Sequence, residues 1–230
     1  MKIKAVLILI AMTLAVGAHD KSLILQDDFS QEMKNWYVEG GRRVEVKEGR
    51  LLIDADPEKP EKGGLAGGTC TVWHRTELTG DLRIEFDAFI EHSHSGKNNI
   101  NFFLFYTMPN GDNPEKSTAD RKYAVYSDYH KMTGYIFTFV NDLTKGEQGR
   151  VRIRRCPGFH LLSGIYTYHS KSEHLYRIAI VKKGCQLQYY IDGELRLTAE
   201  DENPLNQGYF GFRTFQTRFW VDNLTIHRLD

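Results

Sequence analysis

Apolar side chains recur at every second position through much of this sequence, and that period leaves little choice of fold. Leu82, Ile84, Phe86, Ala88 and Ile90 alternate with Arg83, Glu85, Asp87 and Phe89. Successive side chains of a strand point to opposite sides, so only an extended chain gathers the first set on one face. Gly, Asn, Asp and Pro clusters separate such runs, and helical spacing is scarce. Val44-Glu45-Val46 and Leu51-Leu52-Ile53 flank Glu48-Gly49-Arg50 as the arms of a hairpin. Tyr176 to Val181 and Gln186 to Ile191 flank Lys182-Lys183-Gly184 in the same way. Asp192-Gly193 supplies the positive-φ pair of a tight turn before Glu194 to Thr198. Gly208 to Phe215 and Arg218 to Leu229 close the pattern. Asn101 to Tyr106 is instead a run of aromatics and Leu, the mark of a strand covered on both faces. The chain is expected to form roughly eleven to thirteen strands. With no βαβ alternation and no fixed-period repeat, these are expected to pack as two antiparallel sheets in an all-β sandwich. Pro109 to Arg121 and Asn141 to Gly149 are polar and read as long surface loops.

The first residues stand apart. Lys2 and Lys4 precede an apolar run from Ala5 to Val16, and Val16-Gly17-Ala18 offers small residues for cleavage. The run is shorter than the ~20 residues a membrane helix requires. Residues 1–18 are therefore expected to be a signal peptide, and 19–230 a single exported domain, periplasmic or extracellular. Thirty basic and thirty acidic side chains cancel. Nucleic acid and membrane insertion are not expected, because those partners reward a basic surface or a long apolar span. Cys70, Cys156 and Cys185 form no C-x-x-C motif, so one bridge with a spare thiol and three free thiols both remain open.

Several stretches carry a resemblance. Asp27-Asp28-Phe29-Ser30 with Trp36, then Gly49-Arg50-Leu51-Leu52-Ile53, resembles the opening of bacterial concanavalin A-like jelly-roll glycan proteins. Tyr190-Ile191-Asp192-Gly193, Gly208-Tyr209-Phe210-Gly211-Phe212-Arg213 and Trp220-Val221-Asp222-Asn223-Leu224 resemble their end. The central Thr71-Val72-Trp73-His74-Arg75-Thr76-Glu77-Leu78 adds to the match, which is nearest to YesU-like proteins and 3-keto-disaccharide hydrolase-like domains. The resemblance implies a concanavalin A-like jelly roll. It also implies a carbohydrate-active enzyme, a glycoside hydrolase or polysaccharide lyase acting on polysaccharide or oligosaccharide, acidic sugars included. The alternative is a non-catalytic lectin-like carbohydrate-binding protein.

Four groups of residues are candidates for the chemistry. Glu85 and Asp87 share a strand face at roughly 6.6 Å between Cα atoms, near the spacing of a glycosidase pair. They resemble the E-x-D-x-E strand of laminarinases, although Phe89 replaces the third acid. Arg75-Thr76-Glu77-Leu78 is similar to the R-[ST]-E-L strand of jelly-roll alginate lyases, where the matching Arg neutralises a sugar carboxylate. Trp73, Arg75 and Glu77 lie on one strand face by alternation, with His74 on the other. The Q-[IV]-H and Y-F-K-x-G-x-Y strands of those lyases are missing. Tyr126, Asp128, His130 and Tyr135, with Arg154 and His160 nearby, concentrate proton-transfer groups and cations. Trp73 and Tyr126 read equally as groove or core, Phe102 and Phe103 as core. Catalysis is thus expected from Glu85, Asp87, Asp128, His130 or Tyr126, and substrate contact from Trp73, Arg75, Glu77, Tyr135, Arg154 and His160. His92-Ser93-His94 lacks a third ligand, so no catalytic metal is expected. No cofactor is required; Asp27, Asp28 and Asp222 are candidates for a structural Ca²⁺.

Overall fold

The computed structural model describes residues 22–56, 68–94, 96–141 and 149–230. The signal-peptide segment and nearly all of the 141–149 loop lie outside the described residues. In chain order the first strands are β1 (Leu23–Asp27), β2 (Trp36–Gly40), β3 (Arg43–Lys47), β4 (Arg50–Asp54), β5 (Thr69–Thr79), β6 (Leu82–Ser93), β7 (Ile100–Thr107) and β8 (Thr133–Val140). The rest are β9 (Arg150–Cys156), β10 (His160–Ile165), β11 (Leu175–Lys183), β12 (Gln186–Ile191), β13 (Glu194–Glu200), β14 (Gln207–Phe215) and β15 (Thr217–Arg228).

One sheet runs β13-β12-β11-β6-β15-β4-β3, with β1 also paired to β15, and the other runs β10-β9-β8-β7-β14-β5-β2. Neighbouring strands are antiparallel throughout, as in the ladders of β6 with β15 and β5 with β14. The fold is the expected concanavalin A-like jelly-roll β-sandwich. Fifteen strands are present among the described residues. The excess over expectation lies in short strands such as β1, β2 and β10, which lack a clean apolar alternation. Turns follow their chemistry. Glu48 and Gly49 both have positive φ, as do Asp192 and Gly193, which closes the β3–β4 and β12–β13 hairpins.

The main core lies between the sheets, where Ile84, Phe86 and Ala88 of β6 meet Phe102, Phe210 and Phe212. Phe86 stacks on Phe102 at 5.5 Å and meets Phe212 edge-on at 5.0 Å. His74 points into this core, as alternation required, against Trp36 at 4.7 Å and Phe210 at 4.9 Å. Tyr135, read above as a sugar contact, is also buried here, and its hydroxyl donates to Asp201 at 2.6 Å.

A second apolar cluster covers the outer face of the seven-stranded sheet: Trp73, Phe103 and Ile136 lie under Tyr129, Met132 and Ala124. This explains why β7 is apolar at nearly every position. Its covering layer is the chain between β7 and β8, where the Pro109 to Arg121 segment read as a loop forms a 3-10 helix (Pro114–Arg121) and a one-turn α1 (Tyr126–Tyr129) follows it. The correction has a physical cause. Arg121 is almost fully buried, and its guanidinium reaches Glu39 of β2 at 2.6 Å. The same carboxylate accepts from Tyr129 OH at 2.7 Å and Trp73 Nε1 at 3.1 Å. Farther along, Arg75 pairs with Glu115 at 2.7 Å, and Gly40 N donates to Lys122 O at 3.0 Å.

A buried ion pair that loses one member leaves the other charge uncompensated. Arg121→Met should therefore lower unfolding stability by about 3–5 kcal/mol. The double variant Glu39→Gln/Arg121→Met should recover much of that loss. Urea unfolding midpoints of the three proteins check this, and a loss under about 1 kcal/mol for the single variant contradicts the role of the pair.

Candidate functional site

On the outer face of the seven-stranded sheet, register lines up side chains in rows. Glu39 pairs with Thr71, and Thr71 with Arg213. Arg213 pairs in turn with Asn101, Asn101 with Thr138, and Thr138 with Arg152. One polar row thus crosses six strands from β2 to β9. The adjacent row is apolar: Tyr37, Trp73, Gly211, Phe103 and Ile136, ending on Arg154. The covering segment sits on the apolar row and on the Glu39 end of the polar row, whose far end at Arg152 is half-buried.

A pocket of about 350 Å³ forms there. Arg213 and Arg152 lie on its floor, Tyr126 and Ser127 of α1 form one wall, and Lys97, Asn99 and Phe215 line the rest. The Tyr126 ring covers the Arg213 guanidinium at 4.0 Å. Arg213 is 2% exposed, its Nη2 donates to Ala124 O at 3.4 Å, and its Nε has no partner. Thr138 donates to Asn101 Oδ1 at 2.8 Å, fixing the middle of the row. Burial disfavours charge on both floor arginines and pulls their pKa values down; at Arg152 the neighbouring Arg154 adds to the effect. Burial also raises the Tyr126 phenol, with Arg213 opposing. The pocket is thus an electropositive, partly aromatic recess able to hold a polar or anionic ligand.

The candidates from sequence scatter around this recess. Tyr126 lines it. His130 stands behind, its ring 4.5 Å from Tyr126 and stacked on Phe159 at 3.8 Å, while Arg154 covers the other part of that cluster at 4.0 Å from Phe159. The structure therefore brings Tyr126, His130 and Arg154 together. Asp128 is half-buried and lies 3.7 Å from Lys131, and His160 is exposed beyond the β9–β10 turn. Arg75 is tied to Glu115, and Glu77 is exposed on the same face. Trp73, read as groove or core, is fully buried under the cover with its indole N–H on Glu39, so it supports the floor.

Glu85 and Asp87 lie on the other sheet, outside the sandwich. Glu85 accepts from Arg83 at 2.8 Å, which holds its carboxyl below the usual range, and Asp87 accepts from Asn223 at 2.9 Å. The metal expectation finds no assembly: no group of three His, Cys, Asp or Glu able to hold an ion occurs among the described residues. Asp27 accepts from Phe29 N at 2.8 Å and Trp36 Nε1 at 2.9 Å, while Asp28 and Asp222 serve nearby backbone amides. His92 and His94 both face Asp56. All three cysteines are free, Cys70 and Cys156 buried and Cys185 exposed.

Arg213, Arg152, Lys97 and Asn99 were missed as site residues. A signal existed: Arg150, Arg152 and Arg154 alternate along β9, and Arg213 interrupts the apolar end of Gly208 to Phe215. A cation inside a buried strand calls for an explanation.

The DUF6250 family, described as a domain of unknown function, matches residues 65–224. No curated protein matches the chain. A Bacillus subtilis protein of unknown function with a galectin-like fold is similar in structure, with TM-score 0.77 and 15% identity, over 91% of this chain and 97% of that one. The carbohydrate-binding module CBM66 from Bacillus subtilis gives TM-score 0.56 and 15% identity, over 85% and 96%. The Emp47p carbohydrate recognition domain gives 0.61 and 11%, over 92% and 99%.

Burial brings the His130 imidazole down to about 4, with Arg213 and Arg154 repelling its charge, and burial likewise brings His74 to about 4. Both folded values lie below the ordinary ~6.5 of an unfolded chain. Their contribution to stability is therefore whole above about pH 6.5 and is lost as pH falls toward 4. His74→Phe should flatten that loss by on the order of 2–3 kcal/mol, read from urea unfolding at several pH values. An unchanged slope contradicts the buried neutral imidazole.

Proposed function

Because the chain belongs to the DUF6250 family, a domain of unknown function, we propose from its pocket that it is a lectin-like protein that binds carbohydrate on the outer face of the seven-stranded sheet. One observation carries the reading. The recess combines ring surfaces, Tyr126 and Phe215, with an amide at Asn99 and fixed cations, and no carboxylate lines it among the described residues. Sugar rings present C–H faces that pack on aromatics and hydroxyls that bond to amides and charged groups. The carbohydrate-binding module and recognition domain that share the sandwich support the reading by analogy of fold. The likeness of the opening and closing motifs to YesU-like and 3-keto-disaccharide hydrolase-like proteins belongs to the same reading, as does export behind residues 1–18 of a single domain.

Hydrolysis fits less well. It needs one carboxyl kept protonated as acid and a second as nucleophile or base. Glu85 is instead held ionised by Arg83, on the opposite sheet from the recess. Elimination is the second reading, favoured by the Tyr126 ring above Arg213. Arg213 would neutralise a uronate carboxylate, easing loss of the neighbouring C5 proton to water as the C4–O glycosidic bond breaks and the C4–C5 double bond forms, with Tyr126 kept protonated by burial.

An array of plant, algal and bacterial glycans, probed with the full chain, should give binding that Tyr126→Ala weakens roughly tenfold, as loss of a ring contact and its cation–π support implies. Binding unaffected by Tyr126→Ala, or absent throughout the array, contradicts the reading. Release of unsaturated uronates, seen as new ultraviolet absorbance, selects the elimination reading over binding alone.

A further inference from the structure

Three charged side chains of the basic kind are almost wholly buried among the described residues: Arg121, Lys182 and Arg213. Two have carboxylate partners. Arg121 meets Glu39 at 2.6 Å and Lys182 meets Asp81 at 2.7 Å. Arg213 has none. The groups facing its charge are Tyr126, Tyr129, Tyr106 and Cys70, all neutral at ordinary pH. A buried charge without a counter-charge is costly, and natural chains pair such groups or place them where a ligand completes them. Arg213 opens onto the recess, where the other ionisable side chains are Lys97, Arg152 and Tyr126. The recess therefore holds an excess of positive charge that nothing among its lining residues balances.

Resting on the reading of this recess as a glycan site, we propose that its ligand is an acidic oligosaccharide, whose carboxylate or sulfate groups supply the counter-charge that Arg213, Arg152 and Lys97 lack. A guanidinium can donate to two oxygens at once, those of a planar carboxylate or two of a tetrahedral sulfate. Arg213 and Arg152 are three strands apart along the polar row, roughly 14 Å between Cα atoms. That separation exceeds one sugar ring, so it suits an oligomer charged on more than one residue. Tyr126 packs on Arg213 from the side of α1 at 4.0 Å and limits its freedom. Burial opposes the charge on both floor arginines in the free protein, so an arriving anion relieves a strain already present.

Calorimetric titration of the full chain with trigalacturonate, a sulfated galactose oligomer and a neutral galactose oligomer of equal length tests this. One or both acidic oligomers should bind, the neutral one more weakly, and added salt should weaken the acidic binding. The carboxylate and sulfate arms show which anion is preferred. Arg213→Gln should weaken acidic binding by roughly tenfold to hundredfold, as expected for a lost charge-assisted hydrogen bond. Arg152→Gln and Lys97→Gln, at half-buried positions, should each weaken it less, and they carry the test if Arg213→Gln does not fold. Equal affinity for neutral and acidic oligomers, unchanged in these variants, overturns the anionic assignment and leaves the glycan reading standing. Silence from every oligomer overturns both.

Discussion

The carboxylate of Glu39 is the point on which the rest of this structure depends. A two-sheet sandwich buries only its inner faces, yet the outer face of the seven-stranded sheet carries Trp73, Phe103 and Ile136. Left bare, these would form an exposed apolar patch of the kind that soluble proteins avoid. The chain between β7 and β8 closes over them, and Arg121, Tyr129 and Trp73 converge on Glu39 to fasten it. A charge buried this deeply is tolerable only because donors satisfy both oxygens. The cover is consequently a third layer of the fold with a fixed position.

From that fixed position follows the recess. Antiparallel register sets polar and apolar side chains in parallel rows across the strands, and the cover rests on the apolar row and on Glu39 at the β2 end of the polar one. α1 therefore ends as a wall beside the polar row, with Tyr126 over Arg213. The buried pair of Glu39 and Arg121 and the unpaired Arg213 sit on one sheet face with opposite consequences. The first holds structure together; the second leaves an unmet charge beside an opening, where a ligand can complete it. On the other sheet, Arg83 with Glu85 and Asn223 with Asp87 already satisfy one another at the surface.

How much of this was legible follows from what alternation can express. Period two in β6 assigned its faces, and Asp192-Gly193 and Glu48-Gly49 marked their hairpins. The continuous apolar run of β7 correctly announced cover on both sides. Nothing in Pro109 to Arg121 named that cover, because a short 3-10 helix held by one buried arginine has no amphipathic period. Trp73 and Tyr135 looked available for sugars since local pattern shows a strand face but not what lies on top of it. Tyr126, His130 and Arg154 were grouped by sequence proximity, and folding does bring them together. Arg213 follows a glycine-aromatic run that belongs to the resemblance of the closing strands, and sequence alone does not single it out. Its importance comes from the absence of a carboxylate among its described neighbours, which only the assembled sheet reveals.

The location of the ligand on the outer face of the seven-stranded sheet can be read by nuclear magnetic resonance of the isotope-labelled chain. Titration with oligogalacturonate should shift the backbone amides of Asn99, Tyr126, Arg152 and Arg213, and leave those of Glu85, Asp87, Arg177 and Tyr190 in place. Shifts confined to the latter group would put the site on the eight-stranded sheet and contradict the account.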